Sequence, residues 1–278
     1  MINFIVYSPG EYSDVHGGVV VLHTLADVLA QLGENSYIYA SSTYPENKAQ
    51  LISPNVELTY DSENTIVIYP EVTVGNPLQS KYAVRWLLYT PGVNGGDGIY
   101  ADTDLIFKFL DYFKAPDESK VNGILQVFKL KFDKFYNKNL SRSGECFIIK
   151  KGRYKVLNKH SSDSLNIDHS ISDEYLAEVF NTKETFICYD PLCFHTQQAA
   201  LCGCVPIIIP DEGISKEDFT KRAPVNKYGV AYGFEEIEYA KSTLHLVKPY
   251  LQTFEQEAIS TVKNFINHCY QHMKIEKQ

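Results

Sequence analysis

The sequence predicts an α/β protein of two domains built on parallel sheets, and three observations carry that expectation. At 278 residues the chain is too long for one small module and, at roughly 150 residues per domain, fits two. Hydrophobic residues make up 44% and charged residues 22%, the balance of a chain that buries cores and folds. Strand-like and helix-like segments alternate in both halves, the pattern of β-α-β units with parallel pairing and right-handed crossovers.

Residues 2–7 read as the first buried strand, followed by a loop through Pro9, Gly10, His16, Gly17 and Gly18. Leu22, Leu25, Leu29 and Leu32 then recur at steps of three and four, with Ala26 on the same face and Gly33 as the stop, which predicts a helix. Strands are expected at 36–40, 65–69, 84–89 and 105–109. The segment 115–142 carries Pro116, Gly123, Asn137 and Asn139 around an alternating run at 127–135, and the domain boundary is placed near residue 140, giving domains 1–140 and 141–278. In the second half a strand at 146–150 leads into the basic turn Lys151-Gly152-Arg153-Tyr154-Lys155. A helix at 172–180 follows, with Ser172 as N-cap and Asp173 and Glu174 favourable to the dipole. Then come a strand at 185–189, a helix at 191–202 and a strand at 204–209, with helical pattern from Phe234 onward. The stretch 252–273 is long enough to cross back over the first domain.

The formal net charge of -8 argues against general nucleic-acid binding, which needs a basic footprint. Residues 108–159 nevertheless hold 13 of the 26 Lys and Arg against 5 acids, a local surplus of +8. Such a run serves either as a solvated face or as a site for something anionic, and it leaves room for peripheral contact with a membrane. No apolar run approaches the ~20 residues of a membrane span, and the N-terminus enters a strand without an export signal. A cytoplasmic location, with the inner face of the membrane as one option, is therefore expected. The six cysteines, 146, 188, 193, 202, 204 and 269, do not repeat as metal knuckles and read as reduced core thiols. Phosphate-loop, dinucleotide, hydrolase-elbow and zinc-protease motifs are missing. Asp102-Thr103-Asp104 reads as a turn and not as a metal motif.

The strongest signal runs from Phe186 to Ile207: a strand ending in Asp190, Pro191 at a helix start, Gln197 and Gln198 on the helix, and Cys202-Gly203-Cys204-Val205-Pro206 turning into another strand. Ligands of open α/β sheets bind at the carboxyl ends of strands, which is where Asp190 stands. The segment resembles the GT-B-fold glycosyltransferases that carry an E-x7-E donor signature ahead of a C-G-x-P turn. Asp190 and Gln198 occupy the two acidic positions, and the turn carries one added residue. His16-Gly17-Gly18 with Leu25, Ala26 and Leu29 is similar to that family's N-terminal glycine loop and helix.

The resemblance implies two Rossmann-like domains facing across a cleft and a nucleotide diphosphate sugar as donor, with no further cofactor and no metal. It implies transfer to a hydroxyl of a glycan or lipid-linked glycan, with retention of configuration, in surface polysaccharide synthesis. Asp190 would contact the donor sugar, and the backbone N–H groups of Leu192, Cys193 and Phe194 would face the diphosphate. Gln198 would reach the ribose, and Arg153 and Lys155, with Lys151 beside them, would neutralise the leaving group. His16, with Gly17 and Gly18, would face donor or acceptor, while His195 lies near the site with its side undetermined. Gln at 198 keeps hydrogen bonding but loses the family's charge. Two rival readings stay open: a non-catalytic sugar-nucleotide or glycan binder, and a nucleotide-sugar epimerase.

Overall fold

The structure, a computed structural model, describes residues 2–14, 16–157, 160–169 and 172–276. The chain divides into two compact units, Met1–Lys129 with Glu255–Gln278, and Leu130–Phe254. The division falls at residue 130, ahead of the expected 140. Its reason is local: Lys131 and Lys134 pair with Asp173 and Glu174, which ties this stretch to the second unit.

The first unit holds β1 (Asn3–Tyr7), α1 (Gly17–Gln31), β2 (Asn35–Tyr39), β3 (Gln50–Ile52), β4 (Thr65–Pro70), β5 (Tyr82–Leu87), β6 (Leu105–Lys108) and β7 (Val121–Ile124). They form a seven-stranded sheet in the order β3-β2-β1-β4-β5-β6-β7, with every pair parallel. Alternation along the strands sorts the two faces. Phe4, Val6, Ile66, Val84 and Trp86 meet Leu22, Leu25 and Leu29 of α1 and Phe265 and Ile266 of the last helix, each buried side chain contributing roughly 2 kcal/mol. Ile5, Val67, Tyr69 and Ala83 fill the opposite face.

The second unit holds β8 (Glu145–Ile148), β9 (Leu165–Asn166), α2 (Asp173–Thr182), β10 (Thr185–Cys188), α3 (His195–Cys202), β11 (Val205–Ile208), α4 (Lys216–Arg222), β12 (Ala231–Tyr232) and α5 (Ile237–Thr243). Its five-stranded sheet runs β12-β11-β10-β8-β9, again parallel throughout. The helix α6 (Val247–Met273) starts in this unit and ends in the first. Both sheets are doubly wound, so the chain is an α/β protein of two Rossmann-like units. Strand order reverses between β1 and β4 in one sheet and between β8 and β10 in the other.

Ser172 caps α2 as expected, its side chain accepting the Tyr175 N–H. Gly203 closes α3 in the left-handed conformation at φ 85°, and Arg142 donates to the carbonyls of Phe180, Lys183 and Cys202, at the ends of α2 and α3. Much of the basic surplus of the middle stretch is spent in this way. Lys108 pairs with Glu118 at 3.0 Å, Lys120 with Asp102 at 2.6 Å and Lys134 with Glu174 at 2.9 Å. Asp104, the second acid of the Asp-x-Asp turn, pairs with the buried Arg85 at 2.7 Å. All six cysteines are buried and free. No described helix is long and apolar enough to cross a membrane.

Candidate functional site

The carboxyl edge between β8 and β10 is the switch point of the second sheet, where open α/β sheets leave a crevice for ligands. At the end of β8 the backbone N–H groups of Ile149 and Lys150 both donate to Asp168 Oδ1, at 2.9 and 3.0 Å. Between these bonds and the turn that follows, Lys150 stands at φ 41°, a left-handed conformation uncommon for a non-glycine residue. The strand expected to reach residue 150 therefore stops at Ile148. The basic turn continues as a 3-10 stretch, Lys150–Lys155. It descends onto the end of β10 at Gly152, where a Cβ would stand 2.1 Å from the Tyr189 carbonyl oxygen. No other residue fits there, so the loop and the Asp190 turn are locked edge to edge.

After β10 the chain does not enter a helix at Pro191. Asp190 Oδ1 accepts the Leu192 N–H at 3.1 Å and its carbonyl accepts the Cys193 N–H at 3.1 Å, an Asx-type turn that competes with helix. The helix α3 starts only at His195. This corrects the expected geometry: the amides of Leu192 and Cys193 are committed to Asp190 and do not face outward, leaving Phe194 alone of the three. Asp190 itself is 5% exposed.

Three side chains of this edge form a relay. Lys150 Nζ lies 3.2 Å from His195 Nε2, and His195 Nδ1 lies 2.7 Å from Gln198 Oε1. Burial, then the charge of Lys150, pushes His195 down to about 4, so the imidazole is neutral. Beside it, the Cys193 thiol is drawn below its ordinary value, first by the neighbouring Cys188 thiol and then, against its burial, by Lys150 and the His195 backbone N–H. Burial, then the Cys193 thiol, raises Cys188, whose Sγ donates to the Asp190 carbonyl at 3.1 Å.

Of the expected basic residues, Arg153 is exposed and makes no ion pair among the described residues. Lys151 is exposed too. Lys155 turns elsewhere: its Nζ donates to Ile209 O at 2.7 Å and to Asp211 Oδ1 at 2.6 Å, at the end of β11. Gln198 is 1% exposed and its oxygen is taken by His195. His16, Gly17 and Gly18 belong to the first unit, at the switch-point edge where α1 follows β1. His16 occupies the N-cap position of α1 without a side-chain cap bond, and all three are exposed. Lys150 and Asp168 were missed from sequence. Lys150 carried a signal, its place at a strand end, whereas Asp168 carried none.

No protein-family model matches the chain, and no curated protein does. Among solved structures it is similar to sucrose-phosphate synthase from Thermosynechococcus elongatus, with 9% identity and a TM-score of 0.49 over 95% of this chain and 94% of that one. A likeness of that degree says nothing about which residues act.

Proposed function

We propose that the protein is a glycosyltransferase that moves a sugar from a nucleotide diphosphate sugar to a hydroxyl of a glycan, in surface polysaccharide synthesis. The observation that carries this reading is the switch-point edge of the second sheet, where a loop bearing Lys150, Lys151 and Arg153 is locked against the Asp190 turn. In the reaction the bond from the anomeric carbon to the diphosphate oxygen breaks. The acceptor hydroxyl oxygen bonds to that carbon, and its proton passes to the departing diphosphate or a neighbouring base. Negative charge grows on the leaving group, so fixed cations at this edge stabilise the transition state more than the ground state. Asp190 takes the donor sugar, and Arg153 with Lys151 takes the diphosphate without a metal ion. Retention of configuration is the expected outcome. His16 orients a phosphate or the acceptor hydroxyl from the glycine-led start of α1.

Incubation with a panel of nucleotide sugars in excess EDTA tests the reading. Slow release of free nucleotide supports it, and an obligatory need for Mg²⁺ or Mn²⁺ removes the metal-free mechanism. An intact donor would identify a binder, and an isomerised sugar without free nucleotide would identify an epimerase.

A further inference from the structure

We infer that Lys150 is the positioned cation of the second unit's switch-point edge, that His195 and Gln198 position it, and that Gln198 serves this relay and does not read a ribose. The inference rests on reading this edge as a phosphate-handling site, and it departs from the role the family resemblance gives position 198.

The direction of the relay follows from donor and acceptor chemistry. An ammonium has only donors, so at 3.2 Å from Lys150 Nζ the His195 Nε2 must be the bare acceptor nitrogen. In a neutral ring the proton then sits on Nδ1, which donates across 2.7 Å to Gln198 Oε1. The opposite amide orientation would set an NH₂ group against an N–H, so the lysine dictates how the glutamine faces. Gln198 Nε2 is left without a partner. That orphan donor, on a side chain 1% exposed, is a cost the fold accepts to hold the ring. The ring is itself 3% exposed, whereas Lys150 is exposed at the edge. A buried, neutral acceptor therefore fixes a cation that would otherwise sample many rotamers. The two bonds to Asp168 fix its backbone, and the ligand chemistry matched by such a fixed ammonium is a phosphoryl oxygen.

The test uses the intact chain with inorganic pyrophosphate, and separately with uridine and adenosine, by calorimetry. Ring ¹⁵N shifts of His195, assigned by their loss in His195→Phe, are read alongside. Expected are a single Nδ1-protonated tautomer in the wild type and a weakening of pyrophosphate binding by ~10-fold or more in Lys150→Met, the scale of one charged hydrogen bond. Lys150→Met should also release the tautomer into a mixture. His195→Phe and Gln198→Leu should weaken pyrophosphate binding but leave nucleoside binding alone. Gln198→Glu keeps an acceptor for Nδ1–H and should retain both the tautomer and the pyrophosphate affinity. Circular dichroism identifies any variant that fails to fold, and the Lys150→Met and Gln198→Glu pair then decides. The inference is overturned if wild type binds no pyrophosphate, if Lys150→Met changes neither readout, or if Gln198→Leu loses nucleoside but not pyrophosphate affinity. A protein that binds pyrophosphate in this way yet consumes no nucleotide sugar would refute the transferase reading alone.

Discussion

One carboxylate oxygen of Asp190 accepts the Leu192 N–H, so Asp190→Ala removes a charge and a turn together. Asp190→Asn keeps a carbonyl for that bond and loses only the charge. Turnover in Asp190→Asn should therefore fall by ~10²-fold, the scale of one positioned polar group at a transition state, with unchanged thermal stability. Near-normal rates would remove Asp190 from the chemistry. The basic turn divides in the same manner. Lys155 is held by Ile209 O and Asp211, so Lys155→Ala should lose about 1.5–3 kcal/mol of stability in urea unfolding, the worth of charged hydrogen bonds. Arg153→Ala should leave stability within about 0.5 kcal/mol, as surface substitutions do, yet cut turnover. The reverse pattern would exchange their roles. Sequence spacing could not separate these two residues, because which way each side chain leaves a 3-10 turn depends on Gly152 meeting Tyr189.

Helix starts carried more of the outcome than helix existence. The periodic leucines of α1 and the Ser172 cap of α2 made both helices legible, because their apolar faces and caps are written locally. The start of α3 was not: Pro191 suits a first helical turn, but Asp190 captured the next two amides. Strands β9 and β12 span two residues each, too short for any alternation to show. In β7, Gly123 interrupts the apolar pattern. The start of α1 offers a test at this scale. A Cβ at Gly17 would meet nothing within 4 Å, and at Gly18 only Leu88, at 3.9 Å. The fold thus does not demand glycine there, and a ligand approaching the backbone would. Gly17→Ala should leave the melting temperature unchanged while lowering turnover by ~10-fold or more, the scale on which small displacements of substrate act. Equal turnover in the two proteins would make the pair a simple turn.

Across the whole molecule, each of the two units is built on its own parallel sheet and buries one histidine of a helix beside it. The alternation of strands and helices made both sheets legible, whereas the return of α6 to the first unit was legible only as length. His23, in α1, is fully buried and bonded to Thr43 at 2.8 Å; burial, then Lys129, pushes it down to about 4 from 6.5. His195 in α3 is pushed to the same value from 6.5, by burial and then Lys150. Both shifts have one sign. Below pH 6.5 the unfolded chain takes up a proton at each histidine that the native state refuses, so the unfolded state binds more protons and stability falls as pH falls. The loss runs from about 6.5 to about 4 and stops once the native rings also protonate. Carboxylates held low by their partners, such as Glu174 beside Lys134 and Glu118 at the Ala115 N–H and Lys108, keep their contribution above the ordinary value of 4.5 and begin to lose it only at the acid end of that window. Urea unfolding at stepped pH, followed by hydrogen exchange, should thus show protection falling between pH 6.5 and 4 in β1 and β2, against which α1 with His23 packs, and in β10 and β11, against which α3 with His195 packs. His23→Leu should flatten the dependence in the first set of strands only, and His195→Phe in the second only. A flat profile in the wild type would mean that neither ring is held neutral by its core.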